Sequence, residues 1–342
     1  MSDVIVLFGG SSSERLVSVA SAQNVTRLLA DAQPWFLSAQ GAVTPVTLEE
    51  LGAHQRPFEV PFAPAAAARW PSLPAALDSA EAAGKVFFLA LHGGEGENGT
   101  VQLLLEQRGL GFTGSGSVAS ANAFDKAQAK RLAGAAGAAL AEARVLTPMS
   151  EAEAERALLQ LFDAHPRWVL KPQADGSSHG LVHLKSRDQV KAAATLISGL
   201  KLAYLAEVFI EGRELTVGVA EEAEGLVPLP VSEVRLVPNG AFDYAGKYLG
   251  KGTEEITPAQ LTDGERAAVQ ALALTTHRAV GCEGYSRTDM ILTASGPVLL
   301  EINTLPGLTK ASFIPQQLAA AKKDLTAFLR WQLELGRRRA KR

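Results

Sequence analysis

Short unbroken apolar runs alternate along this chain with stretches in which apolar side chains recur every three or four positions. The first kind reads as buried strand and the second as helix. Residues 3–8 form such a run, and Gly9-Gly10-Ser11-Ser12-Ser13 is a turn feeding a helix through about residue 29. Residues 31–82 are rich in Ala and Pro with weak periodicity, and read as irregular connections with a strand or two. Residues 86–91 (VFFLAL) are a second buried strand, ending in His92-Gly93-Gly94-Glu95-Gly96-Glu97-Asn98-Gly99 and followed by a helix on TVQLLLEQRG. This strand, glycine turn and helix opening is common in α/β folds. Residues 112–116 close the first unit.

The pattern then changes. Residues 117–142 carry two Ala-rich helical segments with a break near 134–137. A strand near 144–146, a helix over 151–163 and a strand at 168–171 follow. A Gly/Ser loop at 174–180 leads to a strand near 181–184 and a helix over 187–198. Strands are expected at 204–210, at 214–220 and on through 236, then a polar, aromatic loop at 238–255. A long helix over 262–280, a hairpin and terminal helices complete the pattern. Helices interspersed with strands predict α+β modules attached to an N-terminal α/β domain.

At 342 residues the chain is long for one core, so two or three domains are expected. Hydrophobic content of 47% with 20% charged residues is globular, and a net charge of −3 creates no strong field for nucleic acid. The basic stretch GRRRAKR at 336–342 reads as a solvated helix end whose charge suits the C-terminal dipole. The single cysteine, Cys282, excludes an intramolecular disulfide and a cysteine-based metal cluster. Its setting, AVGCEGY, predicts a small buried residue rather than a catalytic thiol. No charged-then-apolar leader and no apolar stretch of spanning length occur, so no membrane partner and a cytoplasmic location are expected.

The densest chemistry lies in GYSRTDMILTASGPVLLEINTLPG. Arg287-x-Asp289 and Glu301-x-Asn303 sit on two apolar runs joined by Thr-Ala-Ser-Gly-Pro, and residues two apart on a strand share a face. A five-residue loop centred near Ser295 sets Asp289 opposite Glu301 and Arg287 opposite Asn303. Two acids, an amide oxygen and a guanidinium then converge, and oxygen ligands of this kind suit Mg²⁺ shared with substrate phosphates. The polar outer face of an ordinary hairpin fits the same spacing. The loop from Lys171 to Gly180 can wrap phosphates with N–H groups and hydroxyls, with Lys171 as a point charge. It is neither a Walker A motif nor a dinucleotide fingerprint, and a hairpin tip is the alternative. Glu207-Val208-Phe209-Ile210 followed by Glu214 can line a nucleotide pocket. The loop at 242–248, with two tyrosines and Lys247, is either packed on its aromatics or a lid supplying a cation and a phenol.

In order along residues 4–315, the segments GGSSSERLVS, HGGEGENGT, FTGSGSVASANAFDK, LKPQADGSSHG, EVFIEGRELTV, FDYAGKY, YSRTDMIL and LLEINTLPG resemble the D-alanine–D-alanine ligases of the ATP-grasp superfamily. The resemblance implies a three-domain ATP-grasp fold, mixed α/β and α+β, with an N-terminal α/β (pre-ATP-grasp) domain. Residues 1–121 would form the first-substrate side, 122–214 the domain with the phosphate loop, and 215–342 the domain with omega loop, metal ligands and oxyanion site. It implies ATP phosphates near Lys126, Lys171, Ser177, Ser178 and Lys247, and adenine and ribose near Glu207, Phe209, Ile210 and Glu214. Asp289, Glu301 and Asn303 would hold two Mg²⁺ (or Mn²⁺) ions, Asn303 also facing the nucleotide.

By the same resemblance, Glu14 would hold the first D-alanine's ammonium through Tyr248 and Ser177, with His92 nearby. Arg287 and the Gly307 N–H would form the oxyanion site. Ser312, with Phe313 beside it, would take the second substrate's carboxylate. The implied activity joins two D-alanines with ATP, through a D-alanyl phosphate, for peptidoglycan precursors, in what is commonly a homodimer. After LPG the family often reads M-T-S-H-S; here Lys310 and Ala311 replace Ser and His, so D-serine, D-lactate or another amino acid stays open as acceptor. Tyr248 favours the dipeptide over the ester. A nucleotide-binding protein without catalysis is the competing class, and Arg287 beside three metal-ligand candidates weighs against it.

Overall fold

The structure is a computed structural model describing residues 3–176, 180–236 and 253–340. Ser177, Ser178, Lys247, Tyr248 and the whole 242–248 loop lie outside the described residues.

The first sheet contains β1 (Val4–Gly9), β2 (Gln33–Leu37), β3 (Val43–Pro45), β4 (Val86–Leu89) and β5 (Gly111–Phe112), in the order β3-β2-β1-β4-β5. β1 runs parallel to β2 and β4, β4 parallel to β5, and β3 antiparallel to β2. Every residue of β1 and β4 is buried, because both faces of the sheet are covered. Helices α1 (Arg15–Leu28), α2 (Leu48–Ala53), α3 (Leu73–Leu77), α4 (Gly94–Glu97) and α5 (Thr100–Glu106) belong to this part of the chain. The 31–82 segment thus holds more order than its periodicity shows. Its two short helices are started by Thr47 and Ser72, whose side chains accept from Glu50 N and Ala75 N. The sheet is built outward from β1 in two directions, which opens a crevice at the carboxyl ends of β1 and β4.

Helices α6 (Ser117–Phe124) and α7 (Lys126–Ala135) correct the expected break near 134–137. The chain is interrupted at Asp125, whose carboxylate accepts from Gln128 N and starts α7. Near 134–137 the second helix simply ends, and no helix follows before 143. The second sheet, β6 (Ala143–Leu146), β7 (Trp168–Pro172), β8 (Val182–Leu184) and β9 (Tyr204–Val208), is antiparallel in the order β6-β9-β7-β8. Its core joins Trp168 and Leu170 to Leu158 of α8 (Glu151–Ala164) and Ile197 of α9 (Val190–Leu200). β9 ends at Val208, leaving Phe209 and Ile210 beyond the strand.

The third sheet is antiparallel: β10 (Arg213–Glu222), β11 (Gly225–Pro228), β12 (Ser232–Leu236), β13 (Thr253–Ile256), β14 (Tyr285–Thr293) and β15 (Gly296–Asn303). The order is β13-β12-β10-β14-β15, with β11 on β10, so residues 253–255, expected in a loop, are strand. α10 (Asp263–Val280) backs the sheet; a Thr262/Glu265 capping box starts it and Gly281, at φ 82°, ends it. From Ser286 onward β14 alternates: Ser286, Thr288, Met290 and Leu292 are buried, while Arg287, Asp289 and Ile291 face the other way.

The β14–β15 hairpin pairs Asp289 with Glu301 and Arg287 with Asn303, as the spacing predicts, but by a different route. The turn is two residues, Ala294 and Ser295, closed by Thr293 opposite Gly296, and an irregularity follows between Asp289 and Met290. Met290 faces Leu299 and Asp289 faces Glu301, so Leu300 is an extra, bulged residue. Leu299 and Ile302 are both core residues although three apart, which a regular strand forbids and one bulge allows.

Two last helices, α11 (Phe313–Ala320) and α12 (Leu325–Arg339), cross between sheets. Leu329 and Leu333 of α12 share one core with Val4, Val6 and Phe8 of the first sheet and Tyr285 of the third. The Gly336 backbone lies so close to Gly111 and Phe112 that a Cβ on either glycine would collide with the facing carbonyl. The basic stretch is not simply solvated. Arg337 pairs with Asp3, and Arg339 donates to the Phe112 and Gly114 carbonyls and to Glu283. Cys282 is buried as expected, and burial pushes its thiol up to about 12. Among the described residues no helix is long and apolar enough to cross a membrane.

Candidate active site

A cleft partly open to solvent lies where the loops of the first sheet, α7 and the exposed face of the third sheet meet. The crevice side supplies Glu14 and His92. The loops after β1 and β4 are latched together: Ser11 N donates to Glu95 Oε1 at 2.7 Å and Ser12 Oγ to the His92 carbonyl at 2.5 Å. Glu14 heads α1 without capping it and is 8% exposed. Its carboxylate crowds two neighbouring glycines. A Cβ at Gly93, where φ is +63°, would come within 2.7 Å of Oε2, and one at Gly176 would meet the same oxygen.

His92 lines the cleft, yet both ring nitrogens serve the protein. Nδ1 donates to the Leu305 carbonyl at 2.9 Å and Nε2 meets the Ser21 hydroxyl at 2.8 Å. The ring therefore ties α1, the β4 loop and the 305–309 segment together. Beside it Glu97, absent from the sequence-based set, is half-buried in the cleft lining, 3.9 Å from Nδ1. Burial raises its carboxyl above the usual range, opposed by His92 and reinforced by the Glu14 charge.

On the opposite wall, β14 and β15 present Arg287, Asp289, Glu301 and Asn303 to the cleft. Arg287 grips Asp289 through Nε (2.9 Å) and Nη2 (2.8 Å), and Thr216 of β10, directly across the ladder, donates to the same carboxylate at 2.5 Å. Glu301 lies 3.7 Å from the Lys126 ammonium, which also donates to the Asp175 carbonyl at 2.5 Å. Asn303 Oδ1 accepts from Leu305 N at 3.0 Å. Glu214 reaches the same cleft from β10. Among the described residues no three His, Cys, Asp or Glu side chains are gathered closely enough to hold a metal alone. The hard donors of this wall are two carboxylates and one amide oxygen.

The floor comes from the segment leading into α11. Ser312 sits at the N-cap position but does not cap; its hydroxyl meets Thr309 Oγ1 at 2.8 Å and accepts from Thr309 N at 3.1 Å. A Cβ on Gly307 would come within 2.7 Å of Ser312 Oγ, so the backbone there runs against the hydroxyl. Phe313 lines the cleft, with the Arg287 guanidinium 5.8 Å from its ring.

Among the described residues, four expected ones are not in the lining. Phe209 and Ile210 are half-buried just past β9, and Phe209 is stacked by Arg167 at 4.6 Å. Lys171 and Glu207 are buried and paired with each other. A second lysine, Lys130, also missed from sequence, sits 2.5 Å from the other Glu207 oxygen. Burial opposes ionisation of Glu207, but the two ammoniums outweigh it and hold the carboxyl below its usual value. Lys130 is one helical turn beyond Lys126, a spacing that fits an ordinary solvated helix face equally well. For Glu97 the signal was local, its membership of the HGGEGENG run, whereas Thr216 is placed only by the pairing of β10 with β14.

Comparison with known proteins accords with this geometry. The family description "D-ala D-ala ligase N-terminus" matches residues 3–115 and "D-ala D-ala ligase C-terminus" residues 135–330. A D-alanine--D-alanine ligase of Leptospira interrogans is 33% identical over 99% of both chains. One of Cupriavidus metallidurans is 35% identical over 96% of this chain and 94% of its own. Among solved structures, the VanG D-Ala:D-Ser ligase of Enterococcus faecalis superposes with a TM-score of 0.78 at 26% identity, covering 97% of this chain and 98% of its own. The D-alanine-D-alanine ligase of Coxiella burnetii, at 24% identity, shares the fold with a TM-score of 0.80 over 99% of this chain and 94% of its own. A chain matched in both halves by one family, and along its whole length by that family's enzymes, belongs to the D-alanine–D-alanine ligases, and its three sheets are those of an ATP-grasp ligase.

Proposed function

We propose that this ligase couples ATP cleavage to the joining of two D-alanines, through a D-alanyl phosphate, to supply D-alanyl-D-alanine for peptidoglycan precursors. One observation carries the reading. A single cleft gathers an acid from the first sheet's crevice, two acids, an amide and a guanidinium from one hairpin, and a hydroxyl at the start of α11. Glu14 offers a buried negative charge suited to an ammonium. Arg287 is positioned to offset negative charge developing on an acyl oxygen, and Ser312 with the N-terminal turn of α11 suits a carboxylate.

Attack of the first carboxylate on the γ-phosphorus forms a new O–P bond and releases ADP. Attack of the second amine on the acyl carbon then forms the peptide bond and releases phosphate. Both reactants of the first step are anionic, so positive charge has to be held about them. The donor set of Asp289, Glu301 and Asn303 fits Mg²⁺ (or Mn²⁺), being all hard oxygen. Bound there, the ions would supply Lewis-acid neutralisation of phosphate charge. Until then Arg287 and Lys126 supply the opposite charge to those carboxylates. Lys126, Lys171 and Lys247 are assigned to phosphates, Ser177 and Ser178 to the phosphate loop, and Glu207, Phe209, Ile210 and Glu214 to the nucleoside. Tyr248 and Ser177 are assigned to the Glu14 network and Lys247 to the closing loop.

The test is phosphate release from Mg-ATP with D-alanine alone, with added D-serine or D-lactate, and with L-alanine, products being identified by mass. D-alanyl-D-alanine from D-alanine alone is expected; release only when another acceptor is added would move the function to that acceptor. Lys310 and Ala311 beside Ser312 favour examining this second reading, and the VanG neighbour is titled a D-Ala:D-Ser ligase. An acceptor preference unchanged in Lys310→Ser would remove Lys310 from specificity.

A further inference from the structure

Lys130 takes no part in the chemistry above, yet its position is among the most constrained in the molecule. It is 5% exposed on α7. Its ammonium lies 2.5 Å from Glu207 Oε1 and donates to the Leu299 carbonyl at 2.7 Å. Leu299 is on β15 at the open edge of the third sheet, beside the bulge that precedes Glu301. Its N–H is also taken from the α7 side, by the Ala139 carbonyl at 3.0 Å. Lys130 therefore joins β9 of the second sheet to the strand carrying Glu301 and Asn303.

Glu207 is 3% exposed and holds two ammoniums, Lys130 on one oxygen and Lys171 on the other. Glu207 balances one of them, and Glu301, whose charge the Lys130 ammonium also feels, is itself paired with Lys126. An ammonium buried beyond that balance is costly, and a buried carboxylate stripped of all cations is costlier still. The arrangement makes sense if one lysine leaves. Lys171 stands near the end of β7, where strand gives way to loop, whereas Lys130 is anchored on a helix and on a strand backbone. We propose that Lys130 is the fixed counter-ion of Glu207, a positioning residue that keeps this acid ionised and aimed at the purine while Lys171 moves to a nucleotide phosphate. The inference rests on the assignment of Lys171 and Glu207 to ATP made above. Burial brings the Lys130 ammonium down to about 8 against the pull of Glu207, so it stays charged at neutral pH.

The experiment compares wild type with Lys130→Met, Lys130→Gln and Lys130→Arg. KM for Mg-ATP and Mg-GTP, KM for D-alanine and kcat are measured, with thermal melts alongside. Lys130→Met should raise the KM for ATP by about tenfold or more, with a smaller change in kcat at saturating ATP and in the D-alanine KM. The preference for ATP over GTP should shrink, which a loss of packing alone would not cause. Lys130→Gln retains a donor for the Leu299 carbonyl but no charge, and should behave like Met; Arg should recover most of the affinity. In a Glu207→Gln background Lys130→Met should add little, because its effect passes through Glu207. Unchanged ATP affinity and purine preference in Lys130→Gln would overturn the inference, as would an undiminished effect in the Glu207→Gln background. A wild type that binds no ATP, or a Glu207→Gln variant with unaltered nucleotide KM, would instead overturn the underlying assignment and the inference with it.

Discussion

One carboxylate decides two glycines. Gly93 and Gly176 come from separate loops, and each gives way to Glu14 Oε2. Gly176→Ala should displace Glu14 and raise the D-alanine KM by about tenfold or more while the ATP KM changes little, as steady-state kinetics with each substrate varied would show. Glu301→Gln removes a hard anionic ligand candidate without changing volume. It should abolish phosphate release with an unchanged circular dichroism spectrum, and normal turnover would refute the metal assignment. At this scale the site was legible where chemistry coincides with period, as in Arg287/Asp289 and Glu301/Asn303. It was not legible where the decisive fact is burial. Lys130 lies in KAQAKRLAG, which reads as an ordinary helix surface, and only the fold puts it under Glu207.

At the scale of elements, α10 and β14 meet through a buried pair. His277, fully excluded from solvent, receives or donates a hydrogen bond at 2.7 Å through Nδ1 with Ser286. Burial holds the ring neutral, bringing its pKa down to about 4. The unfolded chain takes up this proton near pH 6.5, the folded chain only near pH 4, so stability is complete above that window and falls as pH drops through it. The loss is on the order of 3 kcal/mol at the lower end. Urea midpoints at pH 7 and pH 5 should differ less in His277→Gln than in wild type. The elements themselves followed from period for long runs, such as α10 and β14. Period failed at Asp125, where a cap rather than a glycine divides two helices, and in 31–82, where α2 and α3 are too short to display one. The hairpin pairing was read correctly from a loop of the wrong length, because the bulge at Leu300 adds the residue that the tight turn lacks.

Across the whole molecule, α12 helps join the first sheet to the third. Arg339 donates to two carbonyls of the first unit and pairs with Glu283 beside β14, its guanidinium 4.3 Å from the Phe112 ring. Arg339→Ala should cost about 1–3 kcal/mol, read as a lowered urea midpoint with little effect on kcat. Nothing in the periodicity of the basic stretch announces this role, since the partners are backbone carbonyls more than two hundred residues away. The same helix sets an order on biosynthesis. Val4, Val6 and Phe8 leave the ribosome more than three hundred residues before Leu329 and Leu333, which cover them. The first sheet must wait, one face unfinished, until α12 has been made. Nascent chains ending before residue 325 should therefore be cut by protease within β1 and β4, and protection there should appear only once α12 has emerged.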